Sequence, residues 1–421
     1  MNRVIATAIS VVLATAGCSS DGGSSGEGET APIRFQIQGE PEEISVYRAL
    51  VDTFEDEVPG IDVEVVEVSE EEDALAKLAT SFAAGDAPEL FIINYREFAQ
   101  FAQREAIEPV GRLLEGAGIS VSDYYEQPVE AFTYNDELQC LPQNISSLVV
   151  YYNTQLFKAA GVKRPQAGWT VEEFRDVALT LTKGDVHGLG IDARVIRAAP
   201  FIWSNGGELV DDPENPTRFT FDEPAAAEAV RFLIDLVQKD KVIPSEEEQA
   251  GEDLETRFTT GKLGMFLGSR RDTPKFREIL GLEWDVAPLP VMGKPAGILH
   301  SDAYCISKGA ARQDEIMRFV AFALGEEGQT LTAFAGRTVP SLKSVASSQA
   351  FLDPGQPPAH PEVFLDGIPH IRKIPVIPAW AEIESLADEI LTRLFFEPDY
   401  SIEEAVADLN DQTRDLFGAS E

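Results

Sequence analysis

The sequence predicts an α/β protein built of two lobes, and three observations carry that prediction. The chain has 421 residues, of which 44% are hydrophobic; it can bury a large core and exceeds the usual size of one domain. Short apolar runs alternate with segments of helical periodicity, as in sheets covered by helices. Residues 142–147 form a polar segment with one Pro and no Gly, ahead of an apolar run. Such a segment suits a passage between two bodies better than a surface turn.

The amino-terminal part begins with strands and helices in alternation. Phe35 and Ile37 alternate with polar residues, which is typical of a strand, and Gly39 breaks the run. This alternation of strands with helices predicts parallel sheets with helices on both faces. The predicted elements are a strand over 34–38, a helix over 44–54, a strand over 62–68, a helix over 73–84 and a strand over 89–93.

The run 148–152, which follows the polar segment, is apolar, β-branched and aromatic. It predicts a strand buried on both faces. Asn153 and Thr154 can cap the helix that follows, and Gly161 can end it. Further along, the patterns predict a helix over 225–239, a strand over 297–307 with a helix after it, and a helix that opens near Trp380.

Charge and motifs exclude several classes of function. The chain has 72 Asp and Glu against 34 Lys and Arg, a formal charge of −38, which repels nucleic acid and anionic lipid. It contains no P-loop, no nucleophile elbow between a predicted strand and helix, and no Cys or His spacing typical of a metal site. We therefore expect no nucleic-acid partner, no metal and no cofactor.

At the amino terminus, a basic residue precedes an apolar segment that is too short to span a bilayer and leads to Cys18. This segment resembles a bacterial lipobox, in which the Cys is lipidated and becomes the first residue. Thr15 stands where Leu is usual, so plain signal cleavage is the alternative. The resemblance implies a lipoprotein signal peptide over 1–18. The Gly, Ser and Glu residues that follow predict a flexible tether over 19–31.

A longer pattern surrounds the central strand. It consists of a Pro, hinge residues, an apolar strand, Tyr-Asn, Leu-Phe and an Ala-Gly helix end, carried here by Pro142, Tyr152, Asn153, Leu156, Phe157, Ala160 and Gly161. It continues with a Trp before a capped helix in 168–174, a Met-containing strand in 257–269 and a Gly-to-Pro segment in 336–340. Together these resemble the extracellular solute-binding protein family 1, the maltose-binding-protein-like group.

The resemblance implies a two-lobed, periplasmic-binding-protein-like fold of type II whose chain crosses between lobes three times. It places lobe 1 in 32–141 and 301–341, and lobe 2 in 142–300 and 342–421. Cys140 and Cys305 then lie beside crossing strands on the lobe 1 side, and we expect a disulfide between them. Two small buried thiols are the alternative.

The same resemblance indicates a ligand site between the lobes, built from strand ends, crossings and helix starts. Trp380 is the foremost aromatic candidate because maltose-binding relatives stack a ring on a sugar at this helix start; Trp203 has core packing as its alternative. Arg270 and Arg271 stand where the family often has Trp, and would suit a carboxylate, a phosphate or dense hydroxyls; a solvated surface pair is their alternative. For the strand-end residues the alternative is a helix cap or a solvated turn. The candidate ligand contacts are Glu40, Asn94, Tyr95, Asn144, Ser146, Trp203, Ser269, Arg270, Arg271, Asp302, Arg337 and Trp380.

In function, the resemblance implies the substrate-binding component of an ABC importer that closes on a carbohydrate, and not an enzyme. An anionic or zwitterionic ligand, such as a glycerophosphodiester or a sugar acid, is the alternative in the same role. A secreted glycosidase with paired carboxylates is the alternative of a different class, and a ligand sensor on the same fold is a third. The implied partners are a small molecule, the permease subunits and the bacterial cell membrane through a lipid on Cys18. We expect a monomer.

Overall fold

The computed structural model describes residues 31–39, 41–68 and 71–418. A short 3₁₀ turn, Arg270–Asp272, precedes the helix that begins at Thr273. The strands are β1 (Ile33–Gln38), β2 (Val63–Val68), β3 (Leu90–Asn94), β4 (Ile107–Glu108), β5 (Thr133–Tyr134), β6 (Glu137–Leu138), β7 (Leu141–Pro142), β8 (Val149–Asn153), β9 (His187–Gly190), β10 (Leu263–Gly268), β11 (Trp284–Ala287), β12 (Gly297–Ile298), β13 (Asp302–Ser307) and β14 (Ile371–Arg372). The helices are α1 (Pro41–Glu57), α2 (Glu71–Ala84), α3 (Ala99–Gln103), α4 (Leu114–Ala117), α5 (Glu126–Ala131), α6 (Thr154–Ala160), α7 (Val171–Leu181), α8 (Val195–Ser204), α9 (Pro224–Gln238), α10 (Glu246–Gly251), α11 (Leu254–Thr259), α12 (Thr273–Glu278), α13 (Gln313–Leu324), α14 (Glu326–Phe334), α15 (Lys343–Ala346), α16 (Gln349–Leu352), α17 (Val363–Asp366), α18 (Trp380–Phe396) and α19 (Ile402–Gly418).

Sheet 1 lies at the centre of lobe 1 and is mixed. Its strand order is β2-β1-β3-β13-β4, and β7 also pairs with β13. β1 runs parallel to β2 and β3, whereas β13 is antiparallel to its neighbours. One face of the sheet packs on an aromatic group in which the rings of Phe35 and Phe54 lie 5.4 and 5.2 Å from that of Phe319. This group joins β1, α1 and α13 in one core.

Sheet 2 lies in lobe 2 with the order β11-β8-β10-β9. All five residues of β8 are buried, which confirms the predicted strand with two buried faces. β8 is antiparallel to both of its neighbours, and β9 is parallel to β10. The prediction of parallel sheets is therefore right for β1 to β3 and wrong for most of sheet 2. Parallel neighbours need a crossover connection between them, and β8 enters its sheet directly from the other lobe.

Local signals around β8 act as predicted. The Asn153 side chain accepts hydrogen bonds from the backbone N–H groups of Gln155 and Leu156, both at 3.0 Å, and thereby caps α6. Gly161 ends that helix in the left-handed region, with φ of 69°. Thr170 and Glu173 form a reciprocal capping box at the start of α7.

Three chain segments lie side by side between the two sheets. We call them the first crossing (residues 142–147), the second crossing (299–301) and the third crossing (336–341). Ile145 N–H donates to the Val339 carbonyl at 2.9 Å, and Ser146 and His300 exchange backbone hydrogen bonds of 2.8 and 2.9 Å. The first crossing is therefore the middle member of the three. The two-lobed fold with three crossings, expected from the resemblance, is confirmed.

The strand predicted over 297–307 is divided in two. β12 pairs with β14, and β13 belongs to sheet 1. Between them, the second crossing runs beside the first. The polar residues His300, Ser301 and Asp302 interrupt the apolar pattern at this division.

A disulfide joins a residue just before the first crossing to the strand after the second crossing. Cys140 directly precedes β7 and Cys305 lies within β13, with their Cα atoms 4.6 Å apart. Both residues are fully buried. The bridge fixes the first crossing to the strand that follows the second.

Candidate functional site

A cavity of about 440 Å³ opens between the lobes. The start of α1 forms its wall in lobe 1, the turn before α12 and α12 itself form its wall in lobe 2, and the first and third crossings close the back. We call this cavity the cleft. Its lining consists of Glu43, Val46, Tyr47, Gln143, Glu255, Arg271, Asp272, Pro274, Lys275, Glu278, Thr332, Ala335, Arg337 and Thr338.

Most of the charges in the cleft are paired. Arg337 Nη2 lies 2.6 Å from a carboxylate oxygen of Glu43, and Lys275 Nζ lies 2.6 Å from one of Glu255. Arg271 is exposed, and it makes no hydrogen bond or ion pair with any of the described residues. The cleft therefore contains both donors and acceptors, and the Arg271 guanidinium is available to a ligand.

Two carboxyl groups of the cleft have raised pKa values. Burial raises the pKa of Glu43 to about 7, although the Arg337 guanidinium opposes that rise. Burial likewise raises the pKa of Asp272 to about 6, against the attraction of nearby arginines. Asp272 also accepts a hydrogen bond of 2.8 Å from the Ser269 backbone N–H. Near neutral pH, Glu43 can therefore either accept or donate a hydrogen bond.

Arg271 and Arg337 are the predicted contacts that line the cleft. Glu40, also predicted, lies outside the described residues. Sequence reasoning missed Glu43, Gln143 and Lys275. The available signal was helical spacing: Lys275 follows Arg271 by four residues, so the two side chains share one side of the 3₁₀ turn and helix.

Three predicted contacts instead hold one another at the crossings. Asn94 Nδ2 donates to Asp302 at 2.9 Å, and Asn144 Nδ2 donates to the other oxygen of that carboxylate at 3.1 Å. Asn144 also accepts from the Asp302 backbone N–H at 2.9 Å. Ser146, a fourth predicted contact, is buried and pairs through its backbone with His300. The structure thus places all four in the hinge rather than in the lining of the cleft.

The expectation that Trp380 and Tyr95 face each other across a ligand is wrong. Both side chains are fully buried. The Trp380 indole packs 6.2 Å from the ring of Phe219 and donates its N–H to Glu384 at 3.1 Å. The Tyr95 hydroxyl accepts from the Ile374 backbone N–H at 3.5 Å. Each ring is buried by residues from other elements. The spacing of residues along one helix or strand cannot reveal such burial.

Three further candidates also lie outside the lining. Trp203 is buried and lies beneath the Arg372 guanidinium, 4.7 Å from its ring. Ser269 is buried at the start of the 3₁₀ turn. Arg270 is fully buried between the rings of Phe351 and Phe364, at 4.8 and 5.1 Å. Adjacent residues of the Arg pair therefore point in different directions, and only the second reaches the cleft.

No aromatic ring is presented to the cleft by any described residue other than Tyr47. That side chain is itself buried, and its hydroxyl and Gln143 are hydrogen-bonded at 2.7 to 2.9 Å. A ligand in the cleft would consequently be held by polar and charged groups.

Within residues 31–39, 41–68 and 71–418, no group of His, Cys, Asp and Glu side chains could hold a metal ion. Over the same ranges, no helix has the length and apolar character that a membrane span needs.

Comparison with known proteins decides the family. The model of the bacterial extracellular solute-binding proteins matches residues 39–330, more than half of the chain. The chain belongs to this family. A candidate binding protein of Brucella abortus (strain 2308) is 25% identical over 367 residues, which cover 84% of this chain and 86% of that protein.

Other relatives have named ligands. The sn-glycerol-3-phosphate-binding periplasmic protein UgpB of Pectobacterium atrosepticum is 28% identical over 162 residues, 38% of this chain and 36% of its own length. An ABC substrate-binding protein from Listeria monocytogenes, solved with cycloalternan, has a TM-score of 0.84 at 24% identity and covers 92% of this chain and 99% of its own. UgpB from Mycobacterium tuberculosis, solved with glycerophosphocholine, has a TM-score of 0.80 at 17% identity, covering 93% and 99%. These structures share the fold of this chain.

Proposed function

We propose that this protein is the substrate-binding component of an ABC importer and that it binds a carbohydrate in the cleft by closure of the two lobes. The observation that carries the proposal is the lining of the cleft. Its four acidic and three basic side chains, with Gln143 and two Thr, offer donors and acceptors at many points. A ligand dense in hydroxyl groups can use both kinds of partner at once.

A second candidate ligand is anionic or zwitterionic, such as a glycerophosphodiester or a sugar acid. The exposed Arg271, which forms no ion pair within the described part of the chain, favours it, because a guanidinium can bind a phosphate or carboxylate through two hydrogen bonds. The similarity to UgpB proteins supports the same candidate. A secreted glycosidase remains the rival of a different class, to be distinguished by turnover.

The remaining parts of the proposal are the anchor and the partners. We propose a lipid on Cys18 and a tether over 19–31. We further propose that lobe 1 comprises 32–141 and 301–341, and that lobe 2 comprises 142–300 and 342–421. Cys18 and residues 19–30 lie outside the described residues. The closed protein would deliver its ligand to separate permease subunits as a monomer.

Calorimetric titration tests the cleft and the ligand class together. The probes are maltose, glucuronate, glycerol 3-phosphate and glycerophosphocholine. Arg337→Gln should weaken binding of whichever probe binds by about tenfold, the scale of one hydrogen bond to a charged group. Arg231→Gln is the matched control, because Arg231 is exposed on α9 outside the lining of the cleft.

Arg271→Gln then separates the ligand classes. A change of about threefold or less, with maltose bound by the wild type, supports a neutral carbohydrate. If the wild type binds only an anionic probe, and Arg271→Gln weakens that binding about tenfold or more, the ligand is the anionic or zwitterionic second candidate. Release of product from a glycoside during the titration would overturn both in favour of an enzyme.

A further inference from the structure

An ion pair joins the two lobes at a point outside the lining of the cleft. Arg96 follows β3 in lobe 1, and Glu384 lies on α18 in lobe 2. Arg96 Nη1 is 2.8 Å from a carboxylate oxygen of Glu384. The two side chains are 16% and 6% exposed, so water screens their attraction less than it does for a surface pair.

Each member of the pair makes a further hydrogen bond within its own lobe. The second carboxylate oxygen of Glu384 accepts the Trp380 indole N–H at 3.1 Å. Arg96 Nε donates to Asn94 at 3.0 Å, and Asn94 donates in turn to Asp302 at 2.9 Å. A continuous chain of side-chain hydrogen bonds therefore runs from α18 of lobe 2 to β3 and to the start of β13, next to the second crossing.

Opening the lobes would break this chain between Arg96 and Glu384, where it passes from one lobe to the other. The carboxylate beside the fully buried Trp380 would then lose its ion-pair partner and keep the weaker attraction of Arg194, and removing one member of a buried pair is costly. Through Asn94 and Asp302, Arg96 is connected to the start of β13, next to the second crossing. These contacts do not involve the lining of the cleft.

We propose that Arg96 and Glu384 form a latch that stabilises the closed arrangement of the lobes in the absence of ligand. In this role Trp380 supports the latch through its indole N–H rather than contacting a ligand. Since it concerns the ligand-free protein, it goes beyond the proposed function and does not depend on the identity of the ligand.

Distance measurement by double electron–electron resonance on the ligand-free full chain tests the latch. Spin labels on Thr80→Cys in α2 and Thr180→Cys in α7 report on one lobe each, at exposed positions. The doubly labelled protein with Arg96 and Glu384 intact should show, as its main population, an interlobe distance at which these two residues are paired. Glu384→Gln should lower the ratio of closed to open molecules about fivefold to tenfold, since a charge-assisted hydrogen bond is replaced by a neutral one.

Asp388→Asn is the matched control, one turn further along α18. Asp388 accepts from the Arg194 side chain at 2.8 Å and from the Val195 backbone at 2.7 Å, both within lobe 2. This variant should keep the closed population. An equal shift in Asp388→Asn, or no shift in Glu384→Gln, overturns the latch. If circular dichroism shows that Glu384→Gln does not fold, Arg96→Met takes its place with the same expected shift.

Discussion

At the scale of single residues, burial decides what a side chain can do. Trp380 and Arg270 occupy positions that suggest ligand contact, yet each is fully buried in lobe 2. The reverse holds for Glu43. Nothing in its sequence context indicates a ligand site, but the fold places it in the cleft against Arg337. Its raised pKa makes its charge depend on pH near neutrality.

Glu43→Gln should alter how stability depends on pH. The pKa of Glu43 is raised to about 7 from its ordinary 4.5, so the folded state binds a proton more tightly than the unfolded state does. The stability of the wild type should therefore fall as pH rises from about 4.5 to about 7. Removing the charge should leave stability unchanged at pH 4 and raise it by about 1–3 kcal/mol at pH 8.

Urea unfolding of both proteins at pH 4, 6 and 8 measures this difference. Glu278→Gln is the matched control, because Glu278 is an exposed carboxylate in the opposite wall of the same cleft. The free energy of unfolding of Glu278→Gln should equal that of the wild type at all three pH values. Equal stability of Glu43→Gln and the wild type at pH 8 would show that Arg337 fully compensates the burial of the carboxylate.

At the scale of secondary-structure elements, the crossings determine how strands pair. β8 and β13 each follow a crossing and each is antiparallel to the neighbours that flank it. β1 to β3, which are linked through helices, remain parallel. The disulfide between Cys140 and Cys305 fixes β13 next to the first crossing.

Replacing Cys140 and Cys305 together by Ala should lower the free energy of unfolding by about 3–5 kcal/mol. The bridge closes a chain segment with a sequence separation of 165 residues, and long closed loops restrict the unfolded chain most. Denaturant titration measures the loss. Alkylation of the unreduced wild type, followed by mass spectrometry, should find neither thiol free. Two alkylated thiols in that experiment would rule the disulfide out.

At the scale of the whole molecule, an acidic two-lobed body is expected to be attached to a membrane at one end. A formal charge of −38 keeps such a body away from an anionic bilayer surface. A lipid on Cys18 and a polar tether would then hold the lobes near the permease without requiring contact with the bilayer.

Cys18→Ala should abolish this attachment. The variant should be released into the medium or remain unprocessed, since the lipid acceptor is missing. Partitioning between detergent and aqueous phases, with the wild type alongside, measures the change. If Cys18→Ala partitions into detergent as the wild type does, lipid is not attached at this residue.

The sequence by itself determined the central strand and the helix after it, because caps and periodicity are local: Asn153, Gly161 and the buried run of β8 act as their chemistry predicts. It also determined the two lobes, since the polar passage at 142–147 and a pattern spread over the chain specify the family. Tertiary structure alone decided which side chains line the cleft. Arg270 and Arg271 are neighbours in sequence, yet one is enclosed by two Phe rings from distant segments and the other is exposed. Burial is a property of what packs around a residue, and that packing comes from parts of the chain far away in sequence.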